Sequence, residues 1–362
     1  MEIARLAPVY QAEGPFASVT LDVSHDSENA AHEHELRVRA AREELAESGA
    51  GDDVVQMVAD RLAEQVDEAA PVARTVVAAG SGVLFDEITR QRVDQPAVEW
   101  GPLPDVSRWV QQAERRIRFV LALVDHVGGD VAVYDSEVPE PESETTAGGE
   151  THHAHKVPVG GWSALRYQHV TENVWSRNAD AVADEIESLI GPDLRLVLVG
   201  GDPRSTAQVM ERLEKAQATV VQLESGNRAD DGGEEATQQA IREALLEQSV
   251  ARRLELAHQL KDRLGQESAV ATGVRDVADT FVRGQVDTLL LDPAEAAEHE
   301  LVQADHPGLV LGAVPADTRL RADRALLAAA ALTSAEVALL PRGVLGGAPV
   351  AALLRWDDSS SA

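Results

Sequence analysis

Apolar and polar residues alternate over 15–23 (Pro-Phe-Ala-Ser-Val-Thr-Leu-Asp-Val), which is the period of a half-buried strand. A turn follows at Ser24-His25-Asp26-Ser27, and then the period changes to that of helices. Residues 30–48 are charged, with Leu36, Ala40 and Leu45 expected on the inner side. Residues 53–68 place Val54, Val58, Leu62 and Val66 at intervals of four, with Asp52 in position to cap the helix. Strands at 73–79 and 82–88 meet at Gly80-Ser81-Gly82, a hairpin signal. Pro96, Pro102 and Pro104 then make an irregular segment, and the first domain ends near residue 112.

The middle of the chain reads as strands at 117–124 and 131–134 around the turn 125–130. The stretch 136–156 is rich in Glu, Pro, Thr and Gly, a composition that predicts mobility. A helix is expected over 171–190, with Trp175, Ala179, Val182, Ile186 and Leu189 on one face. A strand at 194–199, a turn at Gly200-Gly201-Asp202-Pro203, a helix at 204–217 and a strand at 218–223 follow. This strand-helix-strand rhythm implies a mixed or parallel sheet covered by helices. Beyond a linker at 226–233, a long helix (234–264) carries Ile241, Leu245, Leu256, Leu260 and Leu264 as core contacts. Helices at 273–283 and 321–332 alternate with strands at 286–292, 336–340 and 350–355, a small α/β sandwich. The expected fold is therefore mixed α/β (α+β), in three domains: 1–112, 113–232 and 233–362.

Composition narrows the function classes. The chain has 362 residues, enough for two or three cores, and is 44% hydrophobic and 26% charged, as soluble globular proteins are. No apolar run reaches the length of a membrane span, and the first residues lack a basic stretch followed by an apolar one. Neither a membrane nor a secretory signal is expected, and the cytoplasm is the expected compartment. With no cysteine, disulfides and thiolate metal sites are excluded. The net charge of -30 argues against broad phosphate binding, and so against DNA. Only Lys156, Lys215 and Lys261 are lysines, so arginines must carry any local basic patch.

Candidate chemistry centres on residues 157–169, Val-Pro-Val-Gly-Gly-Trp-Ser-Ala-Leu-Arg-Tyr-Gln-His. Paired glycines let a backbone adopt conformations closed to other residues and approach a partner closely. Trp162 offers a large amphipathic ring that either stacks on a nucleobase or anchors the loop to its own domain. Arg166 either meets a phosphate or base edge, or pairs with a neighbouring carboxylate. Elsewhere, His152, His153 and His155 form a compositional cluster with no fixed metal geometry, so no metal or cofactor is expected. His25 beside Asp26 is either an acid–base pair or an Asp-capped turn. Gly200-Gly201-Asp202-Pro203 lacks the ending of a phosphate loop and reads as turn chemistry. Asp125 and Asp130 have no third carboxylate set by spacing, which disfavours a two-metal nuclease.

The 160–167 stretch resembles the catalytic loop of the class-one release factor and Pelota superfamily, Gly-Gly-Gln-Ser-x-x-Arg-Phe. Gly160, Gly161, Ser163, Arg166 and the aromatic Tyr167 keep their places, whereas Trp162 stands where that family has glutamine. Residues 12–19, Ser24-His25-Asp26, Asp125-His126, 155–162, 284–290 and 346–355 extend the resemblance in order along the chain. Within the superfamily the chain is most similar to the Balon-type ribosome hibernation factors. The resemblance implies a ribonuclease-H-like middle domain and a C-terminal domain like ribosomal protein L30e. It also implies a 70S ribosome and its rRNA as partner, together with elongation factor Tu. It assigns Gly160, Gly161, Trp162, Ser163 and Arg166 to the peptidyl-transferase centre, and Ser24, His25 and Asp26 to the decoding centre. Loss of the glutamine argues for a non-catalytic factor occupying the A site. The alternative is an enzyme, a peptidyl-tRNA hydrolase or tRNA nuclease.

Overall fold

A computed structural model describes the chain except for residues 2, 27–28, 67–69, 139, 150–161, 192–193, 225–233 and 358–362, and for the side chains of 162–175 and 234. It divides into two compact units, one made of Met1–Arg115 with Arg253–Ala362 and the other of Arg116–Arg252. The architecture is mixed α/β, as expected.

The first part of unit one runs α1 (Ala7–Gln11), β1 (Phe16–Asp22), α2 (Ala30–Glu47), α3 (Asp52–Ala63), β2 (Ala73–Ala79), β3 (Gly82–Thr89), β4 (Ala97–Gly101) and α4 (Ser107–Ala113). Its antiparallel sheet has the order β3-β2-β1-β4. The alternation in β1 correctly marks which face each residue takes, but no residue of β1 is exposed. Ala17, Val19 and Leu21 pack with the α2–α3 layer. The polar face is buried as well, because Ser18 Oγ accepts the Asp105 amide at 2.9 Å and the Thr20 and Thr75 hydroxyls meet at 2.9 Å. A central strand covered on both faces has no solvent side to display.

Helix α2 turns a different face inward from the one expected. His34, Ala41 and Leu45 are buried with Val38 packed beside them, while Leu36 is 37% exposed and Ala40 is exposed. The spacing 34-38-41-45 is helical; it is hidden in the sequence because a histidine occupies its first position. In α3, Val54, Val58 and Leu62 point inward as expected, but the helix stops at Ala63 and Asp52 is its first residue, so Gly51 is the cap. The proline-punctuated segment holds two elements that pattern reading missed, β4 and α4. Pro96, Pro102 and Pro104 lie just outside them, where a missing N–H costs no ladder or helix bond.

Unit two contains β5 (Arg118–Val124), β6 (Gly128–Asp135), β7 (Ser143–Gly148), α5 (Trp162–Leu189), β8 (Leu196–Gly201), α6 (Pro203–Arg212) and β9 (Thr219–Gln222). The sheet order is β7-β6-β5-β8-β9, with the first three strands antiparallel and β5, β8 and β9 parallel, a ribonuclease-H-like arrangement. Val120, Ala122 and Val124 face Val182 and Ile186 of α5 and Val209 of α6. Phe119, Leu121, Leu196 and Leu198 face Ile241, Ala244 and Leu245 of α7 (Glu234–Gln266). Strand β7 corrects the expectation of mobility over 136–156 for its residues 143–148, while 139 and 150–156 lie outside the described residues. Residues 143–148 pair with 128–133 of β6, and main-chain bonds form an edge strand despite the lack of apolar side chains.

Later residues of α7, Leu256 and Leu260, pack in unit one. There follow β10 (Val270–Thr272), α8 (Val274–Val282), β11 (Val286–Leu291), α9 (Pro293–Ala297), β12 (Glu300–Val302), β13 (Arg319–Arg321), α10 (Ala322–Thr333), β14 (Glu336–Leu339) and β15 (Val350–Leu354). The β10-β15-β11-β14 sheet is covered on both faces, by α7 around Leu290 and Leu353 and by α8 and α10 around Leu289 and Ala352. Helix α10 is buried from Ala322 to Ala331, and its alanines admit close approach. Leu6, Tyr10 and Trp109 join that same core, so the first and last thirds of the chain share one interior. Phe85 meets Trp109 edge-on at 5.2 Å, and Arg5 lies 4.5 Å from its ring centroid on the other side. Among the described residues, no helix is long and apolar enough to cross a membrane.

Where β5 and β8 run side by side, Gly201 has φ +125° and a Cβ there would stand 2.0 Å from the Val124 carbonyl oxygen. Gly201→Ala is therefore expected to lower unfolding stability by at least about 2 kcal/mol, through backbone strain and overpacking together. Gly80→Ala, where nothing lies within 4 Å, should change it by less than about 0.5 kcal/mol. Urea unfolding of both variants measures the difference.

Candidate functional site

The paired glycines directly precede α5 in the sequence, and sequence reading placed the start of that helix too late. Gly160 and Gly161 lie outside the described residues, as do His152, His153 and His155. The helix begins at Trp162 rather than at 171, because 163–189 contain neither glycine nor proline to break it. Trp162, Ser163 and Arg166 thus belong to its first turns, and positions 162 and 166 are one turn apart.

Helix α5 is held to unit two through its C-terminal half. Ala179, Val182, Ala183 and Ile186 are buried on the sheet. Asn178, 2% exposed, donates its side-chain amide to the His126 carbonyl at 3.2 Å. His126 sits in the turn between β5 and β6, at the end of the sheet. Residues 162–177 precede that point in the helix, a rise of roughly 24 Å for a straight helix at about 1.5 Å per residue, with Ser176 bonded by Arg212 of α6.

The acidic residues at this edge have structural partners. Asp125 accepts the amides of Val127 and Gly128 at 2.7 and 3.0 Å, closing the turn, and Asp130 accepts the Thr146 hydroxyl at 2.8 Å. Asp202 caps α6, accepting the amide and hydroxyl of Ser205, both at 2.9 Å; these bonds hold its carboxyl below the usual range. The Gly200-Gly201-Asp202-Pro203 turn is accordingly a helix cap. Among the described residues, no three of His, Asp and Glu are placed to hold a metal.

The second candidate, Ser24-His25-Asp26, separates into different roles. Ser24 is 3% exposed; its hydroxyl donates to the Val72 carbonyl and accepts the Val72 amide at 3.0 Å, while its own amide donates to Asp22 at 3.0 Å. Asp26 pairs with Arg92 at 2.5 Å, not with His25. His25 is exposed, and its ring lies 5.4 Å from that of His34, centroid to centroid. His34 is 7% exposed, and neither ring nitrogen completes a hydrogen bond with a described residue, although the Leu62 carbonyl faces it. Burial, followed by His25 and then by Arg37 and Arg74, depresses its pKa below the ordinary 6.5. The sequence signal for His34 is its helical spacing from Val38, Ala41 and Leu45.

A further polar cluster, not anticipated from the sequence, lies within unit one. Arg324, 8% exposed, pairs with Glu99 at 2.9 Å and Asp105 at 2.8 Å; Asp323, 1% exposed, pairs with Arg321 at 2.8 Å. They line a cleft of about 400 Å³. Its charges are matched across segments more than 200 positions apart, as a structural cross-link requires.

Residues 118–266 match the family described as bacterial archaeo-eukaryotic release factor family 2. The uncharacterized proteins MT2704 and Rv2629 of Mycobacterium tuberculosis are each 30% identical over 370 residues, covering 98% of this chain and 97% of their own. Among solved structures, Dom34 of S. cerevisiae, a translation termination-like factor involved in RNA quality control pathways, aligns over 98% of this chain and 93% of its own, at 9% identity and TM-score 0.42. The archaeal translation termination factor aRF1 aligns over 98% and 97%, at 14% identity and TM-score 0.25.

The unpaired His34 makes stability depend on pH. A ring that stays neutral when folded contributes fully above the unfolded value of 6.5. Its contribution is lost as pH falls from there through the lower folded-state value. The urea midpoint should therefore drop as pH falls below about 6.5, and His34→Leu should flatten that drop relative to the wild type. Parallel pH profiles of the two proteins would disprove the assignment.

Proposed function

The chain belongs to the bacterial members of the archaeo-eukaryotic release factor superfamily, and from this we propose that it is a ribosome-binding hibernation factor, occupying the vacant A site without releasing peptide. The observation that supports the reading is the start of helix α5 at Trp162, the residue that follows Gly160-Gly161 in the sequence. The helix runs on from there to Asn178, whose side-chain amide meets the His126 carbonyl at the end of the sheet. A rigid arm of that kind can deliver a small loop into a narrow RNA-lined channel while its domain stays outside.

The tip of the arm explains why binding comes without hydrolysis. Releasing a peptide requires a water placed beside an ester, and small flexible groups at the loop can do this. Trp162 replaces the glutamine with a bulky ring that fills such a space and stacks on a base, a contact worth roughly 1–3 kcal/mol. Arg166, one turn further along, supplies a cation for phosphate or a base edge. Elongation factor Tu is the protein partner in this reading; neither DNA nor a membrane takes part.

Three measurements test it. Purified protein should pellet with vacant 70S ribosomes at moderate salt and show a shallow salt dependence, since a chain of net charge -30 neutralises few phosphates. Trp162→Ala/Arg166→Ala should weaken that binding about tenfold or more while leaving the melting temperature within about 2 °C. Peptide release from programmed ribosomes should stay at background. Multiple-turnover release abolished by Gly161→Ala would replace the idle-factor reading with that of a hydrolase.

A further inference from the structure

Unit one holds a cleft whose chemistry ribosome binding leaves unused. The cleft, of about 400 Å³, lies against the polar face of β1, where Ser18 and Thr20 line it. A volume of that order takes a small molecule. Its buried part is the cluster in which Arg324 pairs with Glu99 and Asp105, and Asp323 with Arg321. One donor of that cluster is left over. Arg324 is 8% exposed and its two terminal nitrogens are taken by the carboxylates, but its Nε–H is buried without a partner among the described residues. A buried N–H with no acceptor costs free energy, and an acceptor atom on a bound molecule removes that cost.

The rim adds two charges that no described residue neutralises. Glu44, exposed on α2, makes no side-chain hydrogen bond or ion pair with a described residue. Arg108, exposed on α4, donates to the Gln95 carbonyl at 3.0 Å, which is a neutral acceptor. Further open valences fall beside them. Glu99 gives one carboxylate oxygen to Arg324 and keeps the other. Arg321 gives Nε and one terminal nitrogen to Asp323 and keeps the second terminal nitrogen.

The fold separates the two signs. Helix α2 and strand β4 share a core through Leu45 and Val98, which puts Glu44 and Glu99 on one wall. Helices α4 and α10 share another through Val110 and Ala325, which puts Arg108, Arg321 and Arg324 on the other. Pro96, Ala97, Pro293 and Ala294 give the cleft an apolar surface as well. A simple anion placed here faces Glu44 and Glu99, and a simple cation faces Arg108 and Arg321, so each leaves one wall unmatched. A small molecule with one charge of each sign satisfies both walls through charge-assisted hydrogen bonds.

We propose that this cleft binds a free aliphatic α-amino acid. Its ammonium meets Glu44 and Glu99, its carboxylate meets Arg108, Arg321 and the Arg324 Nε–H, and its side chain rests on the proline and alanine surface.

Equilibrium dialysis of radiolabelled L-leucine against the full-length protein, without ribosomes, tests this. Two competitors each lack one charge: N-acetyl-L-leucine has no ammonium and L-leucinamide no carboxylate. L-leucine should bind saturably, and each competitor should be about tenfold weaker or more. Glu44→Gln and Arg108→Gln should each weaken L-leucine about tenfold with an unchanged melting temperature, since both side chains are exposed. The first should narrow the gap to N-acetyl-L-leucine and the second the gap to L-leucinamide. No saturable uptake of L-leucine at millimolar concentration overturns the proposal. Competitors as strong as L-leucine itself overturn the pairing of both charges. Wild-type affinity in both variants overturns the cleft as the site. None of these outcomes alters the pelleting of the protein with ribosomes, so the two readings stand or fall separately.

Discussion

A helix of 28 residues is longer than the six- to eight-residue strands it lies beside, and the geometry of unit two depends on that mismatch. At about 1.5 Å per residue the helix is roughly 42 Å long, whereas a six-residue strand covers about 20 Å. Among the described side chains, those from Asn178 onward pack on the sheet, where Ala179, Val182, Ala183 and Ile186 meet Val120, Ala122, Val197 and Val199. Burial of Val182 and Ile186 anchors the arm, and the Asn178 bond to the His126 carbonyl sets where it leaves the domain.

Unit one meets a different constraint. Its first and last segments are far apart in the chain, yet Trp109, Tyr10 and Leu6 share a core with α10. The small side chains of α10 allow that approach, and the ion pairs of Arg324 with Glu99 and Asp105 set its register. Such buried pairs add little net stability, because desolvation offsets much of their attraction; their charges do penalise any misaligned packing. Trp109 leaves its indole N–H without a partner among the described residues, so it serves as apolar bulk, supported by Phe85 and Arg5.

Charge acts locally in this protein. The total of -30 is spread over a surface on which most arginines are held by carboxylates, as Arg37, Arg61, Arg74 and Arg92 are in the first segment.

Much of this was written in the sequence by itself. The strands around 16–22, 118–124, 286–291 and 350–354 follow from runs and alternations of apolar residues, and the hairpin at Gly80-Ser81-Gly82 from its glycines. The Gly-Gly-Trp stretch was visible because its spacing is local. Tertiary structure decided what depends on partners distant in sequence. It buried both faces of β1, turned His34 rather than Leu36 into the core, and made an edge strand of 143–148, a stretch with no apolar pattern to announce it. It also joined Asp105 to Arg324 across the chain. Periodicity reports how each residue faces relative to its neighbours. It cannot report what the rest of the chain brings against that face, and the burial of His34 is set there.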